Sequence, residues 1–173
     1  PRFVGRNWTE LRVAEVAMPE VERPTDVVVR VVGSSVNPVD WKLIEARTFP
    51  GIPAAFPAKL GMDMAGVVVA VGAGCTRLAV GDRVTWTEFF HDGESYYADI
   101  HDMPQKAAGL RKYGHDLVED DPHFLGGFAD YCYILPGTGI LKLPDEISDE
   151  EATPLNCGAA TMVSVTEAAE IDV

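Results

Sequence analysis

The stretch from Leu60 to Val84, LGMDMAGVVVAVGAGCTRLAVGDRV, constrains the fold of this chain more than any other. Val67, Val68, Val69 and Val71 crowd together β-branched side chains, whose restricted χ1 angles disfavour a helix and suit a pleated strand. Gly61, Gly66, Gly72, Gly74 and Gly81 punctuate the run, so it reads as a strand, a Gly-rich turn and a second strand over Arg83–Trp86. The valine run lacks alternation. That predicts a strand apolar on both faces, as in the wall of a closed barrel.

The flanking segments supply more strands. Pro1–Glu15 reads as a hairpin, with Arg2–Val4 and Leu11–Val16 around Gly5-Arg6-Asn7. Asp26–Gly33 (DVVVRVVG) is a strand, and Ser34–Pro38 is a loop from which Pro38 opens a short helix over Val39–Ala46. Thr48–Pro57 holds three prolines and a glycine and reads as an irregular loop of the kind that borders sites. Thr87–Leu125 is the least regular part, although Asp102 followed by Gln105 has the capping-box pattern and predicts a helix over Met103–Tyr113. Gly126–Leu135 alternates as a strand, and Gly137–Leu143 continues as a short extended piece. Ser148 and Glu151 form a second capping box, and Gly158–Glu170 is helical. Strands therefore dominate and helix gathers at the C-terminus, a mainly β barrel with appended short helices rather than an alternating βαβ chain. Gly72-Ala73-Gly74 offers a G-x-G, but Arg77 stands three positions on and a strand follows, so it is not a dinucleotide fingerprint.

Charge and cysteine usage narrow the function classes. A net charge of −13 with no Lys/Arg stripe argues against nucleic acid and against an anionic membrane surface. No apolar run approaches the roughly 20 residues that span a bilayer, and no charged-then-apolar leader opens the chain, so a cytoplasmic location is expected. Cys75, Cys132 and Cys157 lack paired spacing and read as small buried hydrophobes, not as a disulfide framework or a Cys-rich zinc site. The acids are uneven. Nine of them lie between Glu88 and Asp121 against Lys106, Arg111 and Lys112, which marks an irregular acidic lobe at about 87–125 within a single 1–173 domain.

Several segments in order, VVRVVGSSVNPVDWK (28–42), the LGMDMAGVVVAVGAG…VGDRV stretch, GGFADYCYILPG (126–137) and LPDEISDEEATPLNCGAAT (143–161), resemble the N-terminal GroES-like catalytic domain of the medium-chain dehydrogenase/reductase superfamily. The resemblance implies a partly open β-barrel whose floor faces a nicotinamide cofactor, with NADPH held by a Rossmann domain. No such domain is expected within these residues, and 158–173 resembles the start of the helical link to one.

The positions that would match the family's catalytic zinc ligands are Asn37, Met62 and Cys157, an amide, a thioether and one surviving thiol, so no zinc is expected. The relay positions fall on Val39 and Lys42, while Asp40 keeps its carboxylate and Asp63 shortens the usual Glu. The segment matching the structural-zinc lobe, Phe90–Ala107, contains no Cys, and His91, Asp92, Glu94, His101 and Asp102 have no zinc spacing. Asn37-Pro38-Val39-Asp40-Trp41-Lys42 with Gly61-Met62-Asp63 is closer to the zinc-free quinone-oxidoreductase and enoyl-reductase branch. By contrast, Pro104-Gln105-Lys106 and Lys112–His115 resemble zinc-dependent members.

The resemblance gives candidate catalytic residues Asn37, Asp40, Lys42, Tyr113 and His115, cleft residues Met62, Asp63, Trp86 and Cys157, and Asn37 with Thr161 toward the nicotinamide. Each has a plainer reading: Asn37 as a turn residue before Pro38, Asp40 as a helix cap, Lys42 as a solvated lysine, Met62 as apolar wall, Tyr113 and His115 as structural groups. The expected function is the catalytic domain of a zinc-independent, NADPH-dependent reductase of an activated C=C, quinone or carbonyl. The alternative is a stand-alone domain that binds a small molecule, or performs a metal-free rearrangement, elimination or cyclisation, in the ancestral cleft. The first reading needs a Rossmann domain; the second suits a homodimer covering the exposed cleft wall.

Overall fold

The valine-rich segments meet in one antiparallel sheet. The structure, a computed structural model, describes residues 2–5, 11–44, 58–91, 95–107, 109–118 and 123–170. Strands β3 (Val27–Gly33) and β5 (Ala65–Val71) pair at the centre, flanked by β6 (Arg83–Trp86), β9 (Tyr131–Ile134) and β10 (Ile140–Lys142), in the order β10-β6-β5-β3-β9. A smaller sheet, β2-β1-β4, joins the hairpin β1 (Arg2–Gly5) and β2 (Arg12–Ala14) to β4 (Ala58–Lys59). β7 (Phe89–Phe90) and β8 (Arg111–Lys112) form a two-stranded ribbon.

The five-stranded order does not close on itself among the described residues, so the expected closed wall is corrected to an open sheet. The valine run also misled for a local reason. Val28 pairs with Ala70 and Val29 with Val68, which leaves Val69 as the extra residue of a β-bulge. A bulge breaks the two-residue period. Val68 is fully buried while Val67, Val69 and Val71 are half-buried, so the strand is not covered on both faces throughout. A second shift between Val31 and Gly33 lies where β3 passes into the Ser34–Asn37 loop.

Val29, Met64, Val68, Val84, Trp86 and Ile134 centre the core. Tyr133 on β9 donates its hydroxyl proton to Asp26, which precedes β3, and Asp26 also accepts from the Arg23 N–H at 2.7 Å, so the entry to β3 is tied to β9.

Helix α1 (Pro38–Ile44) starts at the expected proline, and α3 (Asp149–Ala152) opens on the expected box: Ser148 Oγ accepts from Glu151 N while Glu151 Oε2 accepts from Ser148 N. The C-terminal helix is shorter than the pattern suggested. A π-helical turn over Leu155–Ala159 precedes α4 (Ala160–Ala168). The helix expected over Met103–Tyr113 is corrected. Here α2 spans Tyr96–His101, capped by Ser95, and Asp102 stands past its end at φ 51° rather than before a new helix. Pro104–Lys106 forms only a 3-10 turn, Gly109 takes φ 77°, and Arg111–Lys112 pairs as strand. The irregular segment expected at Thr48–Pro57 lies outside the described residues. Among the described residues no helix is long and apolar enough to cross a membrane.

Candidate active site

At the end of β3 the chain enters a loop rich in small polar groups, and the lead into β5 runs beside it. Asp63 joins the two. Its Oδ2 accepts from Ser35 Oγ at 2.5 Å and from Asn37 Nδ2 at 2.7 Å, and its Oδ1 accepts from the Cys157 N–H at 2.8 Å. Ser34 Oγ donates to the Asp63 carbonyl at 2.7 Å. One carboxylate, 1 % exposed, thus fastens the loop, the lead into β5 and the π-helical turn.

Asp40 fastens the other side. It sits in the first turn of α1, accepts from the Asn37 N–H at 2.8 Å and from the Gly61 N–H at 3.2 Å, and is 2 % exposed. Burial raises its carboxyl above the usual range, and Asp63 and Glu88 add to the rise, while the two N–H donors oppose it.

Asn156 completes the frame by donating from Nδ2 to the Met62 carbonyl at 2.6 Å and accepting at Oδ1 from the Met64 N–H at 3.1 Å. Thr85 Oγ1 donates to the Met64 carbonyl at 2.9 Å. The backbone of 62–64 is therefore held by side chains, Asn156 from the π-helical turn and Thr85 from β6.

Two glycines allow the close approach. Gly61 takes φ 91°, and a Cβ on it would meet Phe128 N at 2.5 Å. Gly114 takes φ 78°, with a Cβ falling 2.7 Å from the Gly61 carbonyl oxygen. His115 follows, 9 % exposed, with Nδ1 3.2 Å from the Tyr113 carbonyl and Nε2 without a hydrogen-bond partner among the described residues. Burial lowers its basicity, which keeps the imidazole neutral near neutral pH. Glu88 Oε1 and Lys112 Nζ form a partly buried ion pair at 3.5 Å, and their charges reach both His115 and the Cys157 thiol. Burial, with Glu88 and Asp63 adding, pushes that thiol up to about 11, so it is protonated at neutral pH.

The model of the alcohol dehydrogenase GroES-like domain matches residues 23–145. The chain belongs to that family. It is a GroES-like domain of the medium-chain dehydrogenase/reductase superfamily. It is 35% identical over 138 residues to the trans-enoyl reductase thnE of Trichoderma harzianum, covering 78% of this chain and 28% of that protein. It is 34% identical over 80 residues to a chloroplastic quinone-oxidoreductase homolog of Spinacia oleracea, covering 46% of this chain and 24% of that protein. The alcohol dehydrogenase TADH of Thermus sp. ATN1 shares the fold with a TM-score of 0.77 at 25% identity, over 95% of this chain and 46% of that one. A Sorghum bicolor cinnamyl alcohol dehydrogenase gives a TM-score of 0.80 at 20% identity, over 98% and 48%, which bears on the fold alone. The chain spans about a third or less of the length of the relatives matched in sequence.

Within this GroES-like domain, the structure gathers Asn37, Asp40, Met62, Asp63 and Cys157 in one place. Lys42 lies on α1 with Nζ 5.7 Å from the Trp41 ring centre, and Thr161 is exposed on α4. Trp86 and Tyr113 stand in the core instead, and the Tyr113 hydroxyl is shared between Thr138 Oγ1 at 2.8 Å and the Leu135 N–H at 3.2 Å. Burial raises that hydroxyl's pKa.

The sequence reading missed Ser35 and Asn156 and gave Glu88 no role. Asn156 carried a usable signal, an amide beside Cys157 just before a helical run. Ser35 and Glu88 carried none, since their partners are distant in the chain.

Proposed function

We propose that this chain is the catalytic domain of an NADPH-dependent oxidoreductase that reduces an activated C=C, quinone or carbonyl without a metal. The Asp63 network carries the reading. At the places where zinc-type members of the superfamily put ligands, the Asn37 amide donates to Asp63, the Met62 side chain is 1 % exposed, and Cys157 is a neutral thiol. An amide already engaged, a buried thioether and a single thiol do not make a zinc donor set. Among the described residues no three His, Cys, Asp or Glu side chains converge as a metal site. The names of the relatives, a trans-enoyl reductase and a quinone-oxidoreductase homolog, support the same class.

The nicotinamide, bound mainly by a further domain, would supply the hydride. The chain's own contribution is a rigid polar floor. With Asn37 held at its backbone by Asp40 and at its amide by Asp63, one face of the site is fixed before substrate arrives. Lys42, at the last turn of α1, is a cation that would stabilise a developing enolate or phenolate oxygen. The half-buried Cys157 and buried Met62 supply apolar wall.

The test follows NADPH oxidation by the full-length protein with an enone, a quinone and an aldehyde, before and after exhaustive chelation. Turnover of one of these substrates that survives chelation, in protein carrying no stoichiometric zinc, is the expected result. Alcohol oxidation that disappears on chelation and returns with zinc would overturn it.

A further inference from the structure

The end of the sheet remote from the candidate site holds a groove of about 620 Å³. Val27 opens β3 and lines the groove, whereas Asn37 and Asp40 follow the other end of that seven-residue strand. At about 3.3 Å per residue, the two places lie roughly 20 Å apart along the sheet. The groove runs between the Gly74–Leu78 turn and the segment 134–142 that leads from the end of β9 into β10. Val27, Leu78, Ile134 and Leu135 give it an apolar base.

Its charge runs against the rest of the molecule. The chain carries 27 Asp and Glu residues, yet among the described residues none lines this groove, and Arg77 and Lys142 both do. The two cations differ in what they already hold. Lys142 Nζ is 2.7 Å from Asp82 Oδ2, whereas Arg77 is exposed and makes no ion pair among the described residues. An apolar trough of several hundred Å³ with one uncompensated guanidinium has the make-up of a small-molecule site with a single anionic anchor. A purely apolar occupant would leave the guanidinium unused, and a polyanion would meet the protein's net charge of −13 with too few cations to offset it.

We propose that this groove is a second ligand site, separate from the redox cleft, which takes an amphipathic monocarboxylate: a medium-length alkyl or acyl chain on the apolar base with its carboxylate on Arg77. Cys75 lies in the lining and is a free, half-buried thiol, so it reports occupancy without taking part.

Sodium decanoate, below its micelle concentration, is the probe, titrated calorimetrically into the protein. One saturable site is expected, with decanol, the uncharged analogue, binding at least tenfold more weakly. Arg77→Ala and Arg77→Gln each weaken decanoate at least tenfold, as loss of a charge-assisted hydrogen bond requires, and Arg77→Lys recovers part of it. Lys142→Ala changes affinity two- to threefold at most, because Asp82 already holds that ammonium. Bound decanoate slows alkylation of Cys75 by iodoacetamide, read by peptide mass mapping, and leaves Cys157 unchanged. The proposal is overturned by absence of saturable binding, by equal affinity in the Arg77 variants, or by protection of Cys157 in place of Cys75. Arg77 is exposed and outside the core, so a melting temperature matching the unsubstituted protein separates lost binding from lost folding.

Discussion

Asp63 is the residue whose loss would be felt in most directions. Ser35 Oγ, Asn37 Nδ2 and Cys157 N all donate to it, and an alanine would strand three donors, each on a half-buried residue. Stranding a buried donor costs about 1–3 kcal/mol, so Asp63→Ala is expected to lower stability by about 3 kcal/mol or more in urea denaturation. Asp63→Asn keeps the volume and one acceptor and should lose less. Equal, small losses for both would mean that the loop and the π-helical turn stand without the carboxylate.

His115 gives a pH signature at the same scale. Burial lowers its folded-state pKa below the 6.5 of an unfolded histidine, so between those two values the unfolded chain binds more protons. Stability supplied by the neutral ring is therefore complete above about pH 6.5 and is lost as pH falls toward the folded pKa. Asp40 acts with the opposite sign. Its raised pKa makes the folded state bind the extra proton above the unfolded value of 3.8, so its contribution to stability declines as pH rises through that window. His115→Gln should flatten the acid-side slope of the melting temperature just below about pH 6.5, and an unchanged slope would remove His115 from the account.

At the scale of elements, the glycines decide how closely the segments approach. Gly61 lies between β4 and β5 at a positive φ, and a methyl group there would overlap the backbone of Phe128 on the approach to β9. Backbone strain and overpacking each cost about 1–3 kcal/mol, so Gly61→Ala is expected to lose about 3 kcal/mol or more. Gly81 is the control. Its φ of 97° carries similar strain, but nothing lies within 4 Å of an added Cβ, so Gly81→Ala should lose about 1 kcal/mol. Matching losses in thermal denaturation would assign the whole effect to backbone strain and none to the contact with Phe128.

These elements also show what the sequence carried. β3, β6 and α3 were legible because local chemistry decides them: a β-branched run, a Gly-Asp turn and a reciprocal capping box. The Met103–Tyr113 helix was misread because Asp102…Gln105 imitates a box locally, while Ser95 starts the helix earlier and Phe89–Phe90 draws Arg111–Lys112 into a strand. The covering of the valine strand on both faces was misread because a bulge at Val69 breaks the two-residue alternation that would mark a half-covered strand. Within the candidate site, Asn37, Asp40 and Asp63 were reached through resemblance. Ser35 acts through a partner 28 residues away, and no local pattern encodes such a distance, whereas Asn156, 94 residues from Met62, was signalled only by its place beside Cys157.

At the scale of the molecule, α4 is the element least supported by the rest. It has no buried residue and no side-chain cap, and Met162, Val163 and Val165 are exposed on it. Even with the π-helical turn that runs into it, the helical segment 155–168 only reaches the roughly 12–15 residues at which helices become marginal in water, so α4 needs cover to persist. In the reading proposed above, the domain that holds the dinucleotide supplies that cover, and Thr161 on the same helix would then come near the nicotinamide. The expectation is a gradient in amide exchange. In the 173-residue chain alone, amides of Ala160–Ala168 should exchange close to the rate of an open chain, while those of β3 and β5 are protected to the level of global unfolding. In the full-length protein the same helix should gain protection, and more so with NADPH bound. Protection of α4 equal to β3 in the chain alone would show that the helix is held by this domain's own packing, and would remove the argument that its apolar face awaits a cofactor domain.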